Sequence, residues 1–413
     1  MNGPVAEQNR IESLDVTRGL AVLGILAVNA IYFAAPWQTA LDPTLPPIAI
    51  TGATAWTWAL MHVLFEYKFI TLFSLLFGAS LVMVGGEGDD RARGAVLVRR
   101  LLWLLLFGLI HALAIWYGDI LVVYALTGLI VMTARSWHPR ALIVAGVALY
   151  LAALVLQHML ALVWDAVPPD QAGAIRAQMA AIFTPPPEEL ARVQAAYQGG
   201  FIAALQQNVS TWLSFMSNGL LSLMVRTAGV MLIGMALFKL GFLSGRAPAW
   251  LYLVSVMLGA GALGVIGWQA SINYAARFEV MHMATVGLLP NAALSIFVAI
   301  AYASACILLV KVGVRLLTRP LAAVGRMAFS NYIAQSLIMT TLFWSGRGFG
   351  LYGEVDRIGL WAIVLAVWAL QLIWSPLWLR RFEMGPLEWV WRRLSYAQPL
   401  PFSRNENAKG RMI

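Results

Sequence analysis

The residues from Pro290 to Val310 read PNAALSIFVAIAYASACILLV and contain no charged side chain. An α-helix rises about 1.5 Å per residue, so about 20 residues of this kind cross the ~30 Å hydrocarbon core of a bilayer. Nine further runs have similar apolar character, and they lie at Gly19–Ala35, Lys68–Val84, Leu101–Trp116, Ile120–Ala134, Ala141–Trp164, Ser222–Phe238, Trp250–Ala270, Met327–Trp344 and Leu360–Leu379. The chain is therefore predicted to be an all-α, polytopic integral membrane protein with about ten transmembrane helices.

The composition of the whole chain supports the same class. Hydrophobic residues make up 61% of the 413 residues, and Asp, Glu, Lys and Arg together make up 11%. Soluble domains average roughly 45–50% and about 25%, respectively. This composition excludes a nucleic-acid-binding domain, a disordered scaffold and a secreted disulfide scaffold. The single cysteine, Cys306, lies in an apolar run, so we expect neither an intramolecular disulfide nor a metal site.

The distribution of basic residues predicts the orientation of the spans. With the N-terminus taken as cytoplasmic, 21 of the 28 Lys and Arg residues fall in cytoplasmic segments and 5 fall in outside loops. The remaining two, Lys68 and Arg226, lie within spans. Because cytoplasmic loops carry an excess of Lys and Arg, both termini are predicted to be cytoplasmic. The net charge of +9 then reflects membrane topology and not a nucleic-acid partner.

Two segments between the spans are predicted to lie outside the membrane. Residues 35–54 contain four prolines and neither Lys nor Arg. Residues 165–207 contain the turn TPPPEE between two amphipathic stretches, which we expect to lie along the outer surface. The predicted organisation is an N-terminal five-span half (1–164), an outer-face segment (165–210), a C-terminal five-span half (211–395) and a cytoplasmic tail (396–413).

Ionisable residues inside a bilayer are costly, which makes them candidates for function. His111 is predicted near mid-depth in the third span, and Asp119 follows at the outer end of that span. Histidine accepts and returns a proton near neutral pH, and a neighbouring carboxylate would orient it. The alternative is structural: His111 then only joins two helices through a hydrogen bond, and Asp119 caps the next helix.

Further ionisable residues lie near the span ends. Glu66 and Lys68 are predicted where the second span enters from outside, and Arg226 near the start of the sixth. If the first three spans pack together, Glu66 and Lys68 share one outward-opening cavity with His111 and Asp119. Otherwise Glu66 and Lys68 form a pair at the membrane interface.

The first span has its own polar residues. Asp15 and Arg18 stand three residues apart at its cytoplasmic mouth and share a helix face, and Asn29 lies deeper. Asp15 and Arg18 either form an ion pair that sets the orientation of the helix, or leave Arg18 to bind an anionic group from the cytoplasm.

Three motifs in chain order resemble the YeiB-like family of bacterial inner-membrane proteins, which is catalogued as a domain of unknown function. The motifs are RIESLDVTRGLAVLGILAVN at 10–29; RRLL at 99–102 with GLIH at 108–111 and GDIL at 118–121; and GRMAFSNY at 325–332 with GPLEWVWR at 385–392. The resemblance covers nearly the whole chain, and it draws attention to Asn331 in the third motif.

The family is grouped with transmembrane acyltransferases, including the lysosomal heparan-glucosaminide acetyltransferase type. Those enzymes pass an acyl group from coenzyme A across the membrane to a sugar or similar acceptor, using an intramembrane histidine. The shared feature is the opening Leu14-Asp15-x-x-Arg18-Gly19. In the lysosomal type the catalytic histidine follows the first span, whereas here no histidine lies between Arg18 and His62. We therefore assign the role of the catalytic histidine to His111.

The resemblance implies transfer of an acyl group from cytoplasmic acyl-CoA, most simply acetyl-CoA, to a hydroxyl or amine of a small-molecule or glycan acceptor at the outer side. His111 would be the base and Asp119 its orienting group, and Arg18, Arg99 and Arg100 would bind the phosphates of coenzyme A. Residues expected to bind substrate or to have structural roles are Asp15, Asn29, Glu66, Lys68, Arg226 and Asn331.

Two other classes of function stay open at this point. A transporter or permease would have discontinuous spans or charged pairs at the midplane of the membrane. The third class is a non-catalytic membrane assembly factor. In each case the expected location is the bacterial cytoplasmic membrane, with the lipid bilayer as partner, no nucleic acid, and a homodimer left open.

Overall fold

The computed structural model describes residues 11–86, 90–159 and 163–404. Within these ranges the chain is helical and has no β-strand beyond a single bridge between Phe382 and Ser403. The predicted all-α class is confirmed. Arg10, which opens the first motif, and the part of the predicted tail beyond Arg404 lie outside the described residues.

The helices of two or more turns are numbered here in chain order. The first eight are α1 (Glu12–Ala34), α2 (Ala55–Leu64), α3 (Lys68–Gly85), α4 (Arg91–Ile110), α5 (Leu121–Val131), α6 (Pro139–Gln157), α7 (Pro169–Phe183) and α8 (Pro187–Gln198). The next seven are α9 (Phe201–Lys239), α10 (Ala249–Ala275), α11 (Leu289–Val312), α12 (Arg315–Arg326), α13 (Ala328–Phe343), α14 (Arg357–Arg381) and α15 (Pro386–Tyr396). Shorter turns lie at Gln38–Leu41, Gly52–Thr54, Met132–Ser136, Trp164–Ala166 and Val280–His282, and π-helical turns at His111–Ile115 and Met283–Gly287.

Eight helical segments of the described chain are long and apolar enough to cross a membrane, as expected for a multi-pass membrane protein. They are Glu12–Ala34, Gly52–Gly85, Arg91–Ile115, Pro139–Gln157, Phe201–Lys239, Ala249–Ala275, Leu289–Val312 and Arg357–Arg381. The two other predicted spans fold as shorter helices, since Leu121–Ser136 is below this length and α13 has 16 residues. Most of α5 is buried, so its apolar residues pack against protein.

The centre of the bundle is a close contact between the backbones of α3 and α9. A Cβ atom at Gly78 would lie less than 3.0 Å from the Met231 carbonyl group, and one at Gly234 would lie less than 3.0 Å from that of Leu75. Real Cβ atoms essentially never approach this closely, so the two glycines permit the helices to touch.

A second backbone contact fixes the position of the first motif. α1 meets α12 at Gly19 and Gly325, where a Cβ atom on Gly19 would collide with the Leu321 carbonyl group and one on Gly325 with the Asp15 carbonyl oxygen. Arg18 precedes Gly19 in the chain. The contact therefore holds Arg18 at the end of the bundle where α1 begins, close to the C-terminal end of α12.

The two ends of the bundle differ in character. Arg18, Arg100, Arg326 and Arg392 line one cavity at the end where α1 begins, which we call the basic end. At the opposite end the Ser345 N–H donates to the Tyr197 carbonyl oxygen at 3.2 Å, and the Gly353 N–H donates to the Ala34 carbonyl oxygen at 2.8 Å. The C-terminus of α1, helix α8 and the loop at 345–356 therefore meet at the opposite end.

The segment at 165–210 is continuous with the span that follows it. α7 and α8 occupy most of this segment, but α9 already begins at Phe201, well before the predicted start of the sixth span at Ser222. α9 is 39 residues long, so it carries the chain from the opposite end through the bundle as one helix.

Candidate active site

His111 lies where α4 changes its helical geometry. α4 ends at Ile110, and the chain continues into a π-helical turn in which the Trp116 N–H donates to the His111 carbonyl oxygen at 2.8 Å. Single π-helical turns occur frequently at functional sites because the extra residue displaces a side chain from the regular helix face. Asp119 follows, and its Oδ2 accepts the Val122 N–H at 2.8 Å, so Asp119 also caps α5.

Three side chains form a connected hydrogen-bonded row within the bundle. His111 Nδ1 lies 2.8 Å from Asp119 Oδ1, and His111 Nε2 lies 2.9 Å from Ser336 Oγ on α13. All three residues are buried, with at most 5% of their surface exposed. A carboxylate that orients an imidazole, which in turn faces a hydroxyl, is the arrangement of an orienting group, a base and a nucleophile.

A cavity of about 200 Å³ leads from the basic end toward this row. At its rim are the guanidinium groups of the four arginines named above, and its walls are mainly apolar. The residues of its inner part include Ile25, Phe73, Leu76, Leu104, Ile120, Leu121, Tyr124 and Tyr332. The cavity thus offers cations at its entrance and an apolar channel behind them, which suits an anionic ligand with an extended uncharged part.

Three of the four rim arginines are held by specific contacts. The Arg18 guanidinium pairs with Asp15 at 2.9 Å, and both residues line the cavity, so the ion pair does not remove Arg18 from the site. The Arg100 guanidinium lies 4.1 Å from the centre of the Trp391 ring, and the Trp391 indole N–H donates to the Arg100 carbonyl oxygen at 2.8 Å. Arg326 donates to the Glu383 carbonyl oxygen at 2.9 Å. These contacts pre-orient the cations and lower the entropy cost of binding an anion.

Glu388 closes one side of the same rim. Its carboxyl group accepts the backbone N–H groups of Phe329 and Ser330 at 2.7 and 3.1 Å, which caps the N-terminus of α13. Burial raises the pKa of Glu388, and the hydrogen bonds from Ser330 and Phe329 oppose this rise. With four guanidinium groups facing two carboxyl groups, Asp15 and Glu388, the rim is positively charged.

The histidine lies one side chain behind the inner wall of the cavity. The ring of Tyr332, which lines the cavity, is centred 5.1 Å from the ring of His111. Ile120, which follows Asp119, is also a wall residue, and Tyr332 lies one helical turn before Ser336. A modest displacement of the Tyr332 side chain would therefore connect the cavity with the buried row.

Aromatic rings fill the space between this row and the opposite end. Trp116 stacks on Phe33 with ring centres 4.0 Å apart, and its ring also meets the edge of His111 at 6.3 Å. Tyr197 packs between Trp344 at 4.8 Å and Tyr352 at 4.6 Å. We call Phe33, Trp116, Tyr197, Trp344 and Tyr352 the aromatic layer; each is at most 1% exposed.

Not every predicted site residue lies in or near this cavity. Arg99 is exposed and is not among the lining residues, because adjacent helix positions point about 100° apart and Arg100 takes the inward direction. Asn29 is half-buried on α1, also away from the lining. Asn331 is fully buried; its amide donates to Val324 O and Ser375 Oγ, and its carbonyl accepts the Trp374 indole N–H at 2.7 Å. It braces α12, α13 and α14.

Glu66, Lys68 and Arg226 belong to a second buried polar cluster. His62 Nδ1 lies 2.5 Å from Glu66 Oε2, and the Lys68 ammonium donates to the His62 carbonyl oxygen at 2.8 Å and to the Asn291 side chain. Arg226 donates to Ser295 Oγ on α11 at 2.8 Å. The cluster joins α2, α3, α9 and α11, and the structure does not bring it into one cavity with His111 and Asp119.

Sequence reasoning missed five residues of the site, namely Arg326, Tyr332, Ser336, Glu388 and Arg392. Arg326 and Arg392 belong to the 21 basic residues from which the topology is predicted, and their position in the third motif was the available signal of a further role. Ser336 lies 225 residues from His111 and four residues beyond that motif, with nothing in the sequence to pair it with a histidine. Within the parts of the chain that the structure describes, no group of three or more His, Cys, Asp or Glu side chains is placed to hold a metal ion.

The fold and the site together define a polytopic, all-α membrane protein with a buried Ser–His–Asp row behind a cation-rimmed cavity. The chain belongs to the YeiB-like family of bacterial proteins. "Uncharacterized protein YeiB" of Escherichia coli (strain K12) is 35% identical over 398 residues, which cover 93% of this chain and 95% of that protein. "Uncharacterized protein YxaH" of Bacillus subtilis (strain 168) is 31% identical over 417 residues, covering 97% and 98%.

A family model described as "Protein of unknown function (DUF418)" matches residues 237–398, which include Arg326, Ser336, Glu388 and Arg392. No solved structure matches the chain. The family predicted from the three motifs is thus confirmed.

Proposed function

We propose that this protein is a membrane-bound acyltransferase of a bacterial cytoplasmic membrane. It binds acyl-CoA, most simply acetyl-CoA, at the basic end and transfers the acyl group to a hydroxyl or amine of a small-molecule or glycan acceptor. The observation that carries the proposal is the cavity itself. Its rim holds four arginines, and its inner wall touches, through Tyr332, a histidine already paired with a carboxylate.

The rim suits the nucleotide end of coenzyme A. A guanidinium group binds phosphate through two parallel hydrogen bonds, which a lysine ammonium does not reproduce. Coenzyme A carries several phosphate charges next to an uncharged pantetheine arm that ends in the thioester. The rim would take the phosphates, and the apolar walls behind it would take the arm.

The buried row supplies the proton chemistry of acyl transfer. An acceptor hydroxyl or amine must lose a proton as it attacks the acyl carbonyl carbon, and a positioned base contributes about 10²–10⁴-fold to the rate of such a step. Asp119 holds the imidazole of His111 with Nε2 directed at the hydroxyl of Ser336, the position from which Nε2 would accept a proton. Because the surroundings are buried, the charge pair formed on His111 and Asp119 is weakly screened.

A transporter is the second candidate function. The cluster of His62, Glu66, Lys68 and Arg226 favours it, because ionisable residues within spans mark ion and substrate pathways in transporters. None of the four lines the cavity at the basic end, however, so substrate entering that cavity does not meet them. The observations on the cavity therefore favour the enzyme.

The direct test uses purified protein in lipid nanodiscs with radiolabelled acetyl-CoA and an envelope extract as the acceptor pool. Transfer of label into a glycan, lipid or small molecule, with release of free CoA thiol, supports the acyltransferase. Absence of both transfer and CoA release would overturn it. Uptake of labelled solute into proteoliposomes, without any acyl transfer, would instead support the transporter.

The donor is cytoplasmic, so the basic end must face the cytoplasm. We expect a reporter fused at Gln178, in α7, to read outside and a reporter fused at Arg404 to read inside, because 21 basic residues fall on the predicted cytoplasmic side and 5 on the other. Alkaline phosphatase and green fluorescent protein fusions measure this directly. The same location for both fusions would contradict the orientation and the entry route of the donor.

A matched pair of arginines tests whether the cavity binds the donor. Arg392 lines the cavity, whereas the next residue, Arg393, is exposed with its guanidinium over the Trp389 ring. We expect Arg392→Gln to raise the Kd for acetyl-CoA about 10-fold or more, because a hydrogen bond to a charged group contributes about 1.5–3 kcal/mol. Arg393→Gln should change the Kd less than about 3-fold.

Isothermal titration calorimetry on both variants and on the wild type measures these affinities. An equal loss of affinity in both variants would show that net charge at this end, and not the cavity, attracts the nucleotide. Pantetheine, which lacks the nucleotide phosphates, should bind wild type and Arg392→Gln equally.

A further inference from the structure

We propose that Ser336 is the nucleophile of the acyl transfer and carries the acyl group as an ester between donor and acceptor. The inference rests on the acyltransferase proposed above and adds a covalent intermediate to it. It starts from the observation that both ring nitrogens of His111 are engaged, Nδ1 by Asp119 at 2.8 Å and Nε2 by Ser336 Oγ at 2.9 Å.

The partners of His111 determine which atom is basic. Asp119 Oδ2 already accepts the Val122 N–H at 2.8 Å, so the carboxyl group acts as a hydrogen-bond acceptor in this row. An ionised carboxylate only accepts, so His111 donates its Nδ1–H to Asp119 and keeps a lone pair on Nε2. The hydroxyl of Ser336 is then the donor to Nε2, as a serine activated by a histidine must be.

Ser336 has one competing acceptor on its own helix. The Tyr332 carbonyl oxygen lies 3.4 Å from Ser336 Oγ, which is 0.5 Å longer than the contact with His111 Nε2. Serine in a helix usually bonds back to such a carbonyl oxygen, and here the shorter contact is with the imidazole. Among the described serines, Ser336 alone forms a hydrogen bond with a histidine; Ser304, equally buried on α11, has no hydrogen-bond partner.

The reaction balances in two half-reactions. Ser336 Oγ attacks the thioester carbonyl carbon while His111 Nε2 takes the hydroxyl proton; the C–S bond then breaks, and the CoA thiolate takes that proton and leaves as the thiol. In the second half-reaction the acceptor O–H or N–H gives a proton to Nε2 as the acceptor attacks the ester carbonyl carbon. The bond from the carbonyl carbon to Ser336 Oγ breaks, and Oγ regains the proton.

The acyl-serine intermediate allows the donor and the acceptor to reach the buried row one after the other. The cavity opens at the basic end, and the aromatic layer occupies the other side of the row. With the acyl group stored on Ser336, CoA leaves through the cavity before the acceptor reacts, so the two substrates never occupy the site together. The predicted kinetics are those of a double-displacement reaction, with parallel lines in double-reciprocal plots.

The test is acyl-enzyme trapping in nanodiscs with radiolabelled acetyl-CoA and no acceptor. We expect wild type to release up to one equivalent of CoA per protein and to retain one labelled acetyl group on Ser336, located by peptide mass spectrometry. Ser336→Ala should retain no label and should lower the acyl transfer rate about 10³-fold or more. Ser304→Ala, which removes a buried hydroxyl without a partner, should behave as wild type.

A second variant, Ser336→Cys, tests the covalent intermediate even if Ser336→Ala folds poorly. Ser336→Cys retains the size of the side chain and should hold the acetyl group as a thioester, which neutral hydroxylamine cleaves, whereas the serine ester resists it. Wild-type transfer with no label on Ser336, together with full activity of Ser336→Ala, would overturn the covalent intermediate and leave the acyltransferase standing. If wild type neither releases CoA nor transfers acetyl, both proposals are overturned.

Discussion

Replacement of His111 with alanine is expected to lower the rate of acyl transfer by about 10²–10⁴-fold, which is the usual contribution of a general base. The His111 side chain is 1% exposed and forms hydrogen bonds with Asp119 and Ser336. Its loss removes the base and deprives Asp119 and Ser336 of these hydrogen bonds. The rate is measured with radiolabelled acetyl-CoA in nanodiscs. The KM for acetyl-CoA should stay within about 3-fold, because the rim arginines are unchanged.

Two conservative variants separate chemistry from structure. His111→Asn places an amide N–H near the position of Nδ1, so it keeps a donor for Asp119 but has no base facing Ser336. Asp119→Asn keeps an oxygen that can cap α5 at Val122, and should lower kcat less than His111→Ala does while KM is unchanged. Full turnover in His111→Ala, or failure of His111→Asn to reach the membrane in folded form, would show that the histidine is structural.

Replacement of Gly234 with leucine is expected to prevent folding, because even a Cβ atom there would collide with the Leu75 carbonyl group of α3. For the milder Gly234→Ala we expect a loss of about 1–3 kcal/mol, the usual cost of overpacking a tightly packed interface. Gly264→Ala on α10 is the matched control, since no atom lies within 4 Å of its Cβ position.

The stability of both variants is measured as the temperature at which a fluorescent fusion unfolds, with size-exclusion chromatography used to detect the remaining folded protein. Gly264→Ala should be neutral or slightly stabilising, because alanine favours helix over glycine by roughly 0.5–1 kcal/mol. Equal stability of Gly234→Ala and Gly264→Ala would contradict the close α3–α9 contact as the centre of the bundle.

The fold could be predicted well from apolar runs, but the runs do not show what an apolar residue faces. A residue that packs against protein and one that faces lipid have the same hydropathy. The run Ile120–Ala134 is therefore predicted as a span, although the helical segment found there, Leu121–Ser136, is short and most of α5 is buried in the bundle. The early start of α9 at Phe201 was not predicted, because polar residues such as Gln206 and Gln207 interrupt the apolar pattern although the helix continues through them.

The candidate site could be predicted only where its residues are close in the chain. His111 and Asp119 are eight residues apart within one motif, and the structure pairs them. Ser336 comes from α13, and only tertiary packing brings it to His111. Arg99 and Arg100 have the same chemistry, and the rotation of α4 about its axis, which no local pattern specifies, decides that Arg100 lines the cavity.

The aromatic layer also has a consequence for the electrical potential across the membrane. A potential of 100 mV exerts about 2.3 kcal/mol on each elementary charge that crosses the membrane, so a water-filled passage through the protein would dissipate the gradient. Phe33, Trp116, Tyr197, Trp344 and Tyr352 are each at most 1% exposed and fill this level of the bundle with packed aromatic rings. If the protein is the acyltransferase proposed above, we expect this layer to act as an electrical insulator that retains protons while the acyl group reacts on the side of the basic end.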